Sequence, residues 1–549
     1  MNQSYTPAAD ARIAASLLLL RDGAQGLEVL MLRRAERDGD LRSGVAVFPG
    51  GVVDAQDHEA QACLLGPDDA AASQALGLTQ GGLDFWVAAL RETFEEVGLL
   101  LADRAFDPAL VRPWRDRLQQ GSCSIAQMCR EVGLRLDGRE LVYFSHWLTP
   151  PGHPKRFDTR FFMVKAPPDQ VAEADLGEAL ELMWLSPHQA MDPTRQLKLL
   201  PVTRRTLQEL GQSATVAEAL AAARGRQRIE LTMPRVARSV KGPRILLPDD
   251  PAYAEVARLD PQGRQDVSCE LLPGPAVRLS DRLWRVTAPN GSIMTGPGTN
   301  TYLVGSQGHW TVVDPGPASP EHHQAVLAAL TLCGGRLDRI LVTHTHQDHS
   351  PAAAALAQAT GAPVWGRRPL HAEWQDESFA PQREPAPGER IPAAPGCSLR
   401  VVHTPGHASN HLCYLLEEER TLLTGDHVMQ GSTVVINPPD GDMQAYMASL
   451  HALLELDLEW LAPGHGFLMA QPHRAIRRLI AHREQREARV MAALQALGPI
   501  TAQDLLGRVY DDVPANRLPV AARSLLAHLL KLRAEGLASQ SAAGMWAAA

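Results

Sequence analysis

The stretch Thr343-His344-Thr345-His346-Gln347-Asp348-His349 dominates the second half of this 549-residue chain. It follows Arg339-Ile340-Leu341-Val342, a short apolar run that is typical of a buried strand. A strand that ends in metal-capable side chains places them on a loop at the carboxyl edge of a sheet, where α/β folds hold ligands. Imidazole favours zinc, iron or manganese, and a neighbouring carboxylate suits a second, harder ion. The stretch therefore predicts a metal site.

Three later turns repeat the same arrangement, in which a His or Asp stands beside glycine after an apolar run. Because the segments from Trp284 onward alternate between strand-like and helix-like patterns, an α/β fold is expected there. The three turns are Thr404-Pro405-Gly406-His407, Thr424-Gly425-Asp426 and Pro463-Gly464-His465-Gly466.

Length and composition limit the classes of protein. A chain of 549 residues is too long for one core and predicts two or three domains. The formal net charge of -9 gives no overall basic surface for nucleic acid. Seven scattered cysteines without a Cys-x-x-Cys pair favour reduced thiols and a cytoplasmic location. The apolar run at 17–20 is too short for a signal peptide or a membrane span, so no membrane partner is expected.

The first half begins with a predicted β-hairpin formed by residues 13–20 and 27–32. A further strand at 44–48 is closed by Pro49-Gly50-Gly51, and residues 52–82 are predicted to be a loop-rich insertion. Asp84 is then expected to cap a helix over 85–97 that Gly98 ends.

Three carboxylates share one face of that predicted helix. Glu92, Glu95 and Glu96 stand at i, i+3 and i+4, where like charges repel one another. A cation removes that repulsion, and Mg²⁺ or Mn²⁺ prefer such oxygen ligands and bridge phosphates. The alternative is a solvated acidic face without a ligand.

The motifs of the first half resemble the signature of the Nudix hydrolases. Phe48-Pro49-Gly50-Gly51 precedes Arg91-Glu92-x-x-Glu95-Glu96-x-Gly98, but the Arg stands at 91 instead of 65, an insertion of 26 residues. Asp57 takes the place of the first Glu. A box split in this way looks like the coenzyme A diphosphatase branch of the family.

This resemblance implies a Nudix α/β/α sandwich that hydrolyses a diphosphate linked to a nucleoside, with coenzyme A or acyl-coenzyme A as a candidate substrate. Glu92, Glu95 and Glu96 would be the metal and base carboxylates, with Mg²⁺ or Mn²⁺ as cofactor. Arg91 would orient a Glu. His153, Lys155 and Arg156 are either phosphate contacts or surface residues of no special role.

The motifs of the second half resemble the metallo-β-lactamase fold, an αββα sandwich. Gly298-Thr299-Asn300-Thr301, Asp314-Pro315-Gly316, the His-x-His-x-Asp-His loop and the three later turns follow in the family's order. The family pattern implies two Zn²⁺, or Mn²⁺ or Fe²⁺, and an additional proton-transfer role for Asp348. One ion would be held by His344, His346 and His407 and the other by Asp348, His349 and His465, with Asp426 as the bridge; His403, His411 and His427 fall outside the pattern.

The residue at position 426 limits the subfamilies that the second half can resemble. Because Asp426 replaces a Cys ligand of many zinc β-lactamases, antibiotic hydrolysis is not expected. Only 38 residues separate Asp426 from His465, too few for the cap of the RNA-processing nucleases. The end of the domain resembles the lactamase-β-like branch, one member of which cleaves single-stranded RNA. Glyoxalase II-type thioesterases have the same ligands, so an ester, a thioester and a phosphodiester remain open.

The last part of the chain predicts a small winged-helix unit. A long amphipathic helix at 474–497 precedes helices at 502–509 and 520–534 and a short hairpin. The candidate recognition helix carries only Arg523, Lys531 and Arg533 as fixed positive charges. Packing or dimerisation is therefore at least as good an interpretation as nucleic-acid binding.

The sequence thus predicts an α/β and α+β multidomain chain. Its expected parts are a Nudix domain at 8–255 with the insertion 52–82, a linker at 256–276, a metallo-β-lactamase-fold domain at 277–472 and a helix with a winged-helix unit at 473–549. The leading hypothesis is a bifunctional hydrolase of small molecules that forms a homo-oligomer. The alternative is a single-strand endoribonuclease with RNA as partner and a non-catalytic Nudix module.

Overall fold

The computed structural model describes residues 5–34, 44–174, 179–226, 228–431 and 433–549. The chain divides into two compact units, of which the first comprises residues up to 236 together with 262–264. The second comprises 237–261 and 265–549. The described part of the chain contains no helix long and apolar enough to cross a bilayer.

The first unit is built on a mixed nine-stranded sheet. Its strands are β1 (Ala11–Gly23), β2 (Gly26–Arg34), β3 (Val45–Val47), β4 (Gly50–Val52), β7 (Val142–Leu148), β8 (Arg156–Lys165), β9 (Ala179–Leu185), β10 (Lys198–Leu199) and β11 (Leu231–Thr232), beside a small pair β5 (Leu64–Leu65) and β6 (Leu136–Asp137). Its helices are α1 (Ala55–Ala60), α2 (Asp69–Leu76), α3 (Leu83–Val97), α4 (Pro108–Gln119), α5 (Ile125–Val132), α6 (Pro187–Met191), α7 (Pro201–Leu210) and α8 (Val216–Arg224).

Helix α3 is the element that places the carboxylates of the first unit. Its apolar face buries Phe85, Leu90 and Phe94 in a core that also contains Leu17 of β1 and Phe162 of β8. Strand β1 lies at the centre of the sheet, antiparallel to β2 and β4 and parallel to β8. Because β4 carries the glycine loop and α3 packs beside it, the two halves of the split motif meet.

The prediction of a loop-rich insertion at 52–82 is wrong, because much of this segment is helical. Asp54 caps α1, accepting a hydrogen bond from the backbone of Gln56, and Asp68 caps α2 in the same way through Ala71. The expected cap of α3 is also corrected: Gly82 precedes the helix and gives it no side-chain cap. Gly98 does end α3, in the left-handed region at φ 71°.

The second unit contains two six-stranded sheets. Its strands are β12 (Arg235–Ser239, whose first two residues belong to the first unit), β13 (Gly242–Leu246), β14 (Ala276–Arg278), β15 (Leu283–Thr287), β16 (Asn300–Ser306), β17 (His309–Val313), β18 (Arg336–Leu341), β19 (Val364–Trp365), β20 (Arg390–Ala394), β21 (Cys397–His403), β22 (Leu412–Leu416), β23 (Thr421–Gly425), β24 (Trp460–Pro463), β25 (Met469–Ala470), β26 (Ala538–Gln540) and β27 (Trp546–Ala548). Its helices are α9 (Tyr253–Leu259), α10 (Pro320–Cys333), α11 (Ala353–Thr360), α12 (Met443–Leu453), α13 (Pro472–Leu497), α14 (Ala502–Val509) and α15 (Leu518–Ala534).

These elements form an αββα sandwich. The strand orders are β14-β15-β16-β17-β18-β19 and β20-β21-β22-β23-β24-β25, and the two inner faces share one core that includes Tyr302 and Tyr414. Helices α10 and α11 cover the outer face of the first sheet, and α12 and α13 cover that of the second. The predicted fold class is confirmed.

The segment after β13 is packed, although it was expected to be an extended linker. Helix α9 buries Val256 in a small core with Leu246, Cys269 and Phe467. Glu255 makes a bidentate ion pair with Arg285, at 2.7 and 2.8 Å, and both side chains are buried. A buried charge needs such a partner, and the linker prediction did not anticipate it.

The C-terminal part is a winged-helix unit attached through α13. Its core joins Val490 and Leu494 of α13 to α14 and α15 and to Trp546 of the β26–β27 hairpin. Ala527 of α15 packs into the core under the second sheet.

Candidate metal centres

The predicted ligands of the second unit follow the ends of neighbouring strands. His344, His346, Asp348 and His349 come after β18, Asp426 directly after β23, and His465 two residues after β24. His407 follows β21. Because these strand ends lie at one edge of the sandwich, side chains distant in sequence converge.

The seven side chains form three overlapping groups whose possible ligand atoms lie within 4.8 Å of one another. These groups are His344 with His346 and His407; Asp348 with His349 and His465; and His344 with His349 and Asp426. In the first, His346 Nδ1 lies 3.0 Å from Nε2 of both partners. Asp426 reaches both sides, with Oδ1 3.3 Å from His349 Nε2 and Oδ2 3.7 Å from His407 Nε2.

Four of the histidines are fixed through their other ring nitrogen. Nδ1 of His349 lies 2.9 Å from Asp314 Oδ2, Nδ1 of His407 lies 2.7 Å from the Val435 carbonyl, and Nδ1 of His465 lies 3.1 Å from the Gly298 carbonyl. The Nδ1 of His344 lies 3.0 Å from Thr343 Oγ1. Such contacts set the tautomer that directs Nε2 towards an ion.

The donor set fits a pair of divalent cations. Nε2 of His349 and Oδ1 of Asp426 are buried and make no hydrogen bond within the described residues, although they lie 3.3 Å apart. Buried polar atoms rarely lack a partner, and an ion bound to both of these atoms would satisfy them.

Charge divides the cluster into two sides. Burial lowers the pKa of His344 well below its usual value and that of His346 to about 3. For His465, burial is outweighed by Asp426 and Asp348, which raise its pKa to about 10. Protons and cations therefore compete at the carboxylate side, because a histidine must be neutral to ligate.

The structure also reveals supporting residues that the motif pattern left out. His411 is fully buried, and its Nε2 accepts a hydrogen bond from the Asp426 backbone N–H at 3.2 Å. The Thr299 hydroxyl donates to Asp348 Oδ2 at 3.1 Å. Both ring nitrogens of His427 are buried without a hydrogen-bond partner in the described chain, and His403 is only half-buried. Their sequence positions alone carried no signal of these contacts.

A cavity of about 1040 Å³ opens onto the cluster. His346, Asp348, His407, Asp426 and His465 form one wall, and residues of α13 and of the winged-helix unit form another. A substrate in this cavity would contact both the ligand side chains and the winged helix.

The first unit brings the two halves of its split motif together. The Gly50 N–H donates to Glu96 Oε2 at 2.8 Å, and a Cβ at Gly51 would collide with the Glu92 carboxylate. Arg91 is buried and contacts Glu92 and Glu95 through Nη1, at 2.9 and 3.3 Å. Despite the insertion, Glu92 and Glu96 lie beside the glycine loop, and Glu95 is joined to Glu92 through Arg91.

Asp57 is buried under Arg91 and bonds its guanidinium at 2.6 and 3.0 Å. It also completes the capping box of α1, so it links Arg91 to that helix. Burial raises the pKa of Glu92 to about 7, against the opposing field of Arg91. Of the candidate phosphate contacts, Arg156 pairs with Asp10, and His153 and Lys155 are exposed.

Family models match three successive parts of the chain. Residues 71–201 match the NUDT19 Nudix domain, residues 294–465 the metallo-beta-lactamase superfamily, and residues 501–546 the beta-lactamase associated winged helix domain. The beta-lactamase-like protein 2 homolog of Drosophila melanogaster is 32% identical over 280 residues, which are 48% of this chain and 91% of that protein.

The chain belongs to the metallo-beta-lactamase superfamily. Within it, the lactamase-like protein vrtG of Penicillium aethiopicum is 32% identical over 49% of this chain and 87% of its own length. The atrochrysone carboxyl ACP thioesterase of Claviceps purpurea is 28% identical over 43% of this chain and 74% of its own. The superfamily domain and the Nudix domain together make the chain a metal-dependent hydrolase with a C-terminal winged helix.

Solved structures resemble each half. A metallo-beta-lactamase family protein from Thermus thermophilus is 23% identical, with a TM-score of 0.43, and the match covers 50% of this chain and 100% of that one. A Nudix hydrolase from Alicyclobacillus acidocaldarius is 28% identical, with a TM-score of 0.33, over 39% of this chain and 96% of that one.

Proposed function

We propose that the chain is a bifunctional hydrolase whose second half uses a dinuclear metal centre to hydrolyse a carboxylic ester or thioester. The observation that carries the proposal is the position of Asp426, whose two carboxylate oxygens face the two sides of the histidine cluster. The ligands would be His344, His346 and His407 for one ion and Asp348, His349 and His465 for the other, with Asp426 between them. When bound, two divalent ions supply an activated water and polarise the scissile carbonyl.

Residues of the chain would hold and transfer the protons of this hydrolysis. Burial raises the pKa of Asp348, but His349 and His465 oppose burial and keep that pKa below its usual value. Asp348 lines the cavity with a partly exposed side chain, so its ionised carboxylate is placed to accept a proton from the attacking water and pass it to the leaving group. Asp314 and the Val435 carbonyl would hold the histidine rings in their ligating tautomers.

The choice of a thioester rests on similarity to a named relative, the fungal ACP thioesterase. The test is the release of thiol from N-acetylcysteamine thioesters by zinc-loaded protein. His346→Ala should lower the rate by at least about a hundredfold, because one ion loses a ligand. His403→Ala is the matched control, since this histidine lies outside the metal groups. Equal rates in wild type and His346→Ala would refute the proposal.

For the first half, we propose Mg²⁺- or Mn²⁺-dependent cleavage of a nucleoside diphosphate-linked substrate, with coenzyme A as the first candidate. The contacts of Gly50 with Glu96 and of Arg91 with Glu92 and Glu95 support it. Incubation with coenzyme A and Mg²⁺ should release phosphopantetheine, and Glu95→Gln should abolish that release. A Glu95→Gln variant as active as wild type would refute this proposal.

The runner-up is a single-strand endoribonuclease with a non-catalytic Nudix module. The arginines that the winged-helix side contributes to the cavity favour it. Cleavage of single-stranded RNA that His346→Ala abolishes, with no diphosphatase activity in any condition, would select this alternative. The domain limits 8–255, 277–472 and 473–549, the homo-oligomer and the cytoplasmic location remain predictions.

A further inference from the structure

Trp374 is an exposed aromatic residue in an unusual backbone conformation at the cavity. Its φ is 67°, and 63% of its surface is exposed although it lines the cavity wall. A bulky residue in the left-handed region is strained, and such strain persists only where surrounding contacts impose it. An indole that is 63% exposed also gains little from burial.

The residues after Trp374 are bonded directly to the metal-motif loop. Gln375 forms a backbone bridge with His346, and its Oε1 accepts from the Thr345 hydroxyl at 2.6 Å. The Asp376 N–H donates to the Thr345 carbonyl at 2.7 Å, and the Asp376 carboxylate accepts from Ser350 at 2.6 Å. The indole is therefore held one residue away from the strand bridge to a predicted ligand.

Arg523 reaches this indole from the winged-helix unit. Its guanidinium carbon lies 5.3 Å from the centre of a Trp374 ring, within cation–π range. No carboxylate of the described chain pairs with Arg523 or with the nearby exposed Arg517. Two guanidinium groups that line the cavity thus remain available to an anion.

The rest of this wall is also rich in donors. Outside the metal cluster, the carboxylates of the cavity are Glu373, Asp440 and Asp512, and the four arginines 483, 486, 517 and 523 outnumber them. Asp512 is already paired with Arg486, and Asp440 accepts from Ser409 and Gln375. Some buried atoms of the wall also lack a hydrogen-bond partner in the described chain: Arg483 Nε, Tyr510 Oη and His482 Nδ1.

We infer that Arg523, held over Trp374, selects substrates that carry a carboxylate within a few bonds of the scissile ester or thioester. The inference rests on the proposed function and adds the substrate class. Arg523 would bind the carboxylate through its guanidinium N–H groups, and Trp374 would fix the guanidinium by stacking. Because Gln375, the residue after Trp374, forms a backbone bridge with His346, we expect the bound carboxylate to lie near the reacting bond.

The test compares three thioesters of similar size on zinc-loaded full-length protein. The neutral reference is the pentanoyl thioester of N-acetylcysteamine. The glutaryl thioester of the same thiol adds a carboxylate on the acyl side, and the pentanoyl thioester of 3-mercaptopropionate adds one on the thiol side. None contains a diphosphate, so the Nudix half has no bond to cleave.

For wild type, kcat/KM for at least one charged thioester should exceed the neutral reference by about tenfold, as a charge-assisted hydrogen bond allows. In Arg523→Gln that ratio should fall close to one, mainly through KM. Arg508→Gln is the matched control, because Arg508 is an exposed arginine of the same unit outside the cavity. A wild-type ratio near one, or a ratio that survives Arg523→Gln, overturns the inference.

If none of the thioesters is hydrolysed, the proposed reaction alone is refuted. A binding measurement then still tests the inference. Calorimetric titration of zinc-loaded protein with glutarate and with pentanoate compares one extra carboxylate on the same chain length. Glutarate should bind about tenfold more tightly than pentanoate in wild type and equally in Arg523→Gln. Equal affinities in wild type overturn the anion site itself.

Discussion

Asp314 shows how one residue can organise a metal centre without touching the ions. It adopts φ 54°, a conformation that Asp and Asn tolerate better than most residues. Its carboxylate accepts from the Thr343 backbone N–H at 2.7 Å and from the Thr343 hydroxyl at 2.8 Å, and it holds His349 Nδ1. It thereby joins the ends of β17 and β18 to a predicted ligand.

Asp314→Asn should weaken zinc binding by about ten- to a hundredfold and leave the melting temperature of the metal-free protein nearly unchanged. Asn keeps the shape and the backbone conformation but removes the charge that stabilises the His349 ring. Competition with a chelator measures the affinity. Asp338→Asn is the control, because Asp338 makes a similar contact to His309 at 2.8 Å far from the ligands. Equal losses in both variants would contradict this role.

The pKa of Glu92 predicts how the stability and the metal affinity of the first unit depend on pH. Burial raises its pKa to about 7, so the folded unit without metal binds a proton that the unfolded chain, with an ordinary pKa near 4.5, does not. This carboxyl therefore makes the metal-free fold less stable as pH rises from about 5 to 7, by the sign of proton linkage. Mg²⁺ must displace that proton below pH 7.

The apparent affinity of the diphosphatase half for Mg²⁺ should rise by about tenfold between pH 6 and pH 8, because ionised Glu92 is the ligand form. Initial rates against Mg²⁺ concentration at several pH values give the affinity. In Glu92→Gln the remaining activity should show a flat dependence over this range. An equally steep dependence in the variant would assign the titration to another group.

At the residue scale, the sequence predicts the metal ligands better than it predicts the residues that hold those ligands in place. Each proposed ligand stands in a recognisable turn after an apolar run, which is why Asp426 and His465 could be named. His411 and Thr299 act through contacts with Asp426 and Asp348 that only the folded chain creates. The same holds for Trp374, whose role depends on the conformation of its backbone and on a distant arginine.

At the scale of elements, β4 and α3 together determine the position of the Glu92 carboxylate. Gly51 lies so close to α3 that a Cβ would meet the carboxylate of Glu92, which is the mobile end of a flexible side chain. Gly51→Ala should therefore cost little stability but displace that carboxylate.

We expect Gly51→Ala to reduce coenzyme A cleavage by at least about tenfold while the melting temperature changes by only a few degrees. Gly225→Ala is the control, since the nearest atom to a Cβ there is a backbone oxygen at 3.5 Å, an ordinary contact. Thermal unfolding and phosphopantetheine release measure the two effects. Unchanged cleavage would contradict the placement of Glu92 at the reacting centre.

Three helices were not predicted from the sequence, for identifiable reasons. Helices α1 and α2 are short, and an acidic, alanine-rich composition concealed the caps at Asp54 and Asp68. Helix α9 was hidden by flanking proline and glycine, and its stability depends on the buried pair of Glu255 with Arg285. The strands of the sandwich and α13 were predictable because their apolar periodicity is strong.

For the whole molecule, each of the two compact units carries one of the two proposed hydrolytic sites, and the groups of possible ligand atoms within 4.8 Å of one another that the described residues form lie in the second unit. Glu95→Gln should abolish diphosphate cleavage and leave thioester hydrolysis within about twofold of wild type, and His346→Ala should do the reverse. Parallel assays of both reactions on both variants measure this. Loss of both activities in either single variant would show that the two halves depend on each other.

The most direct test of the central claim is anomalous diffraction at the zinc edge from crystals of zinc-loaded full-length protein. Two peaks are expected in the second unit, one among His344, His346 and His407 and one among Asp348, His349 and His465, with Asp426 between them. The Asp426→Asn variant should lose at least one of these peaks. Wild-type crystals with no peak among these residues would contradict the proposed dinuclear centre.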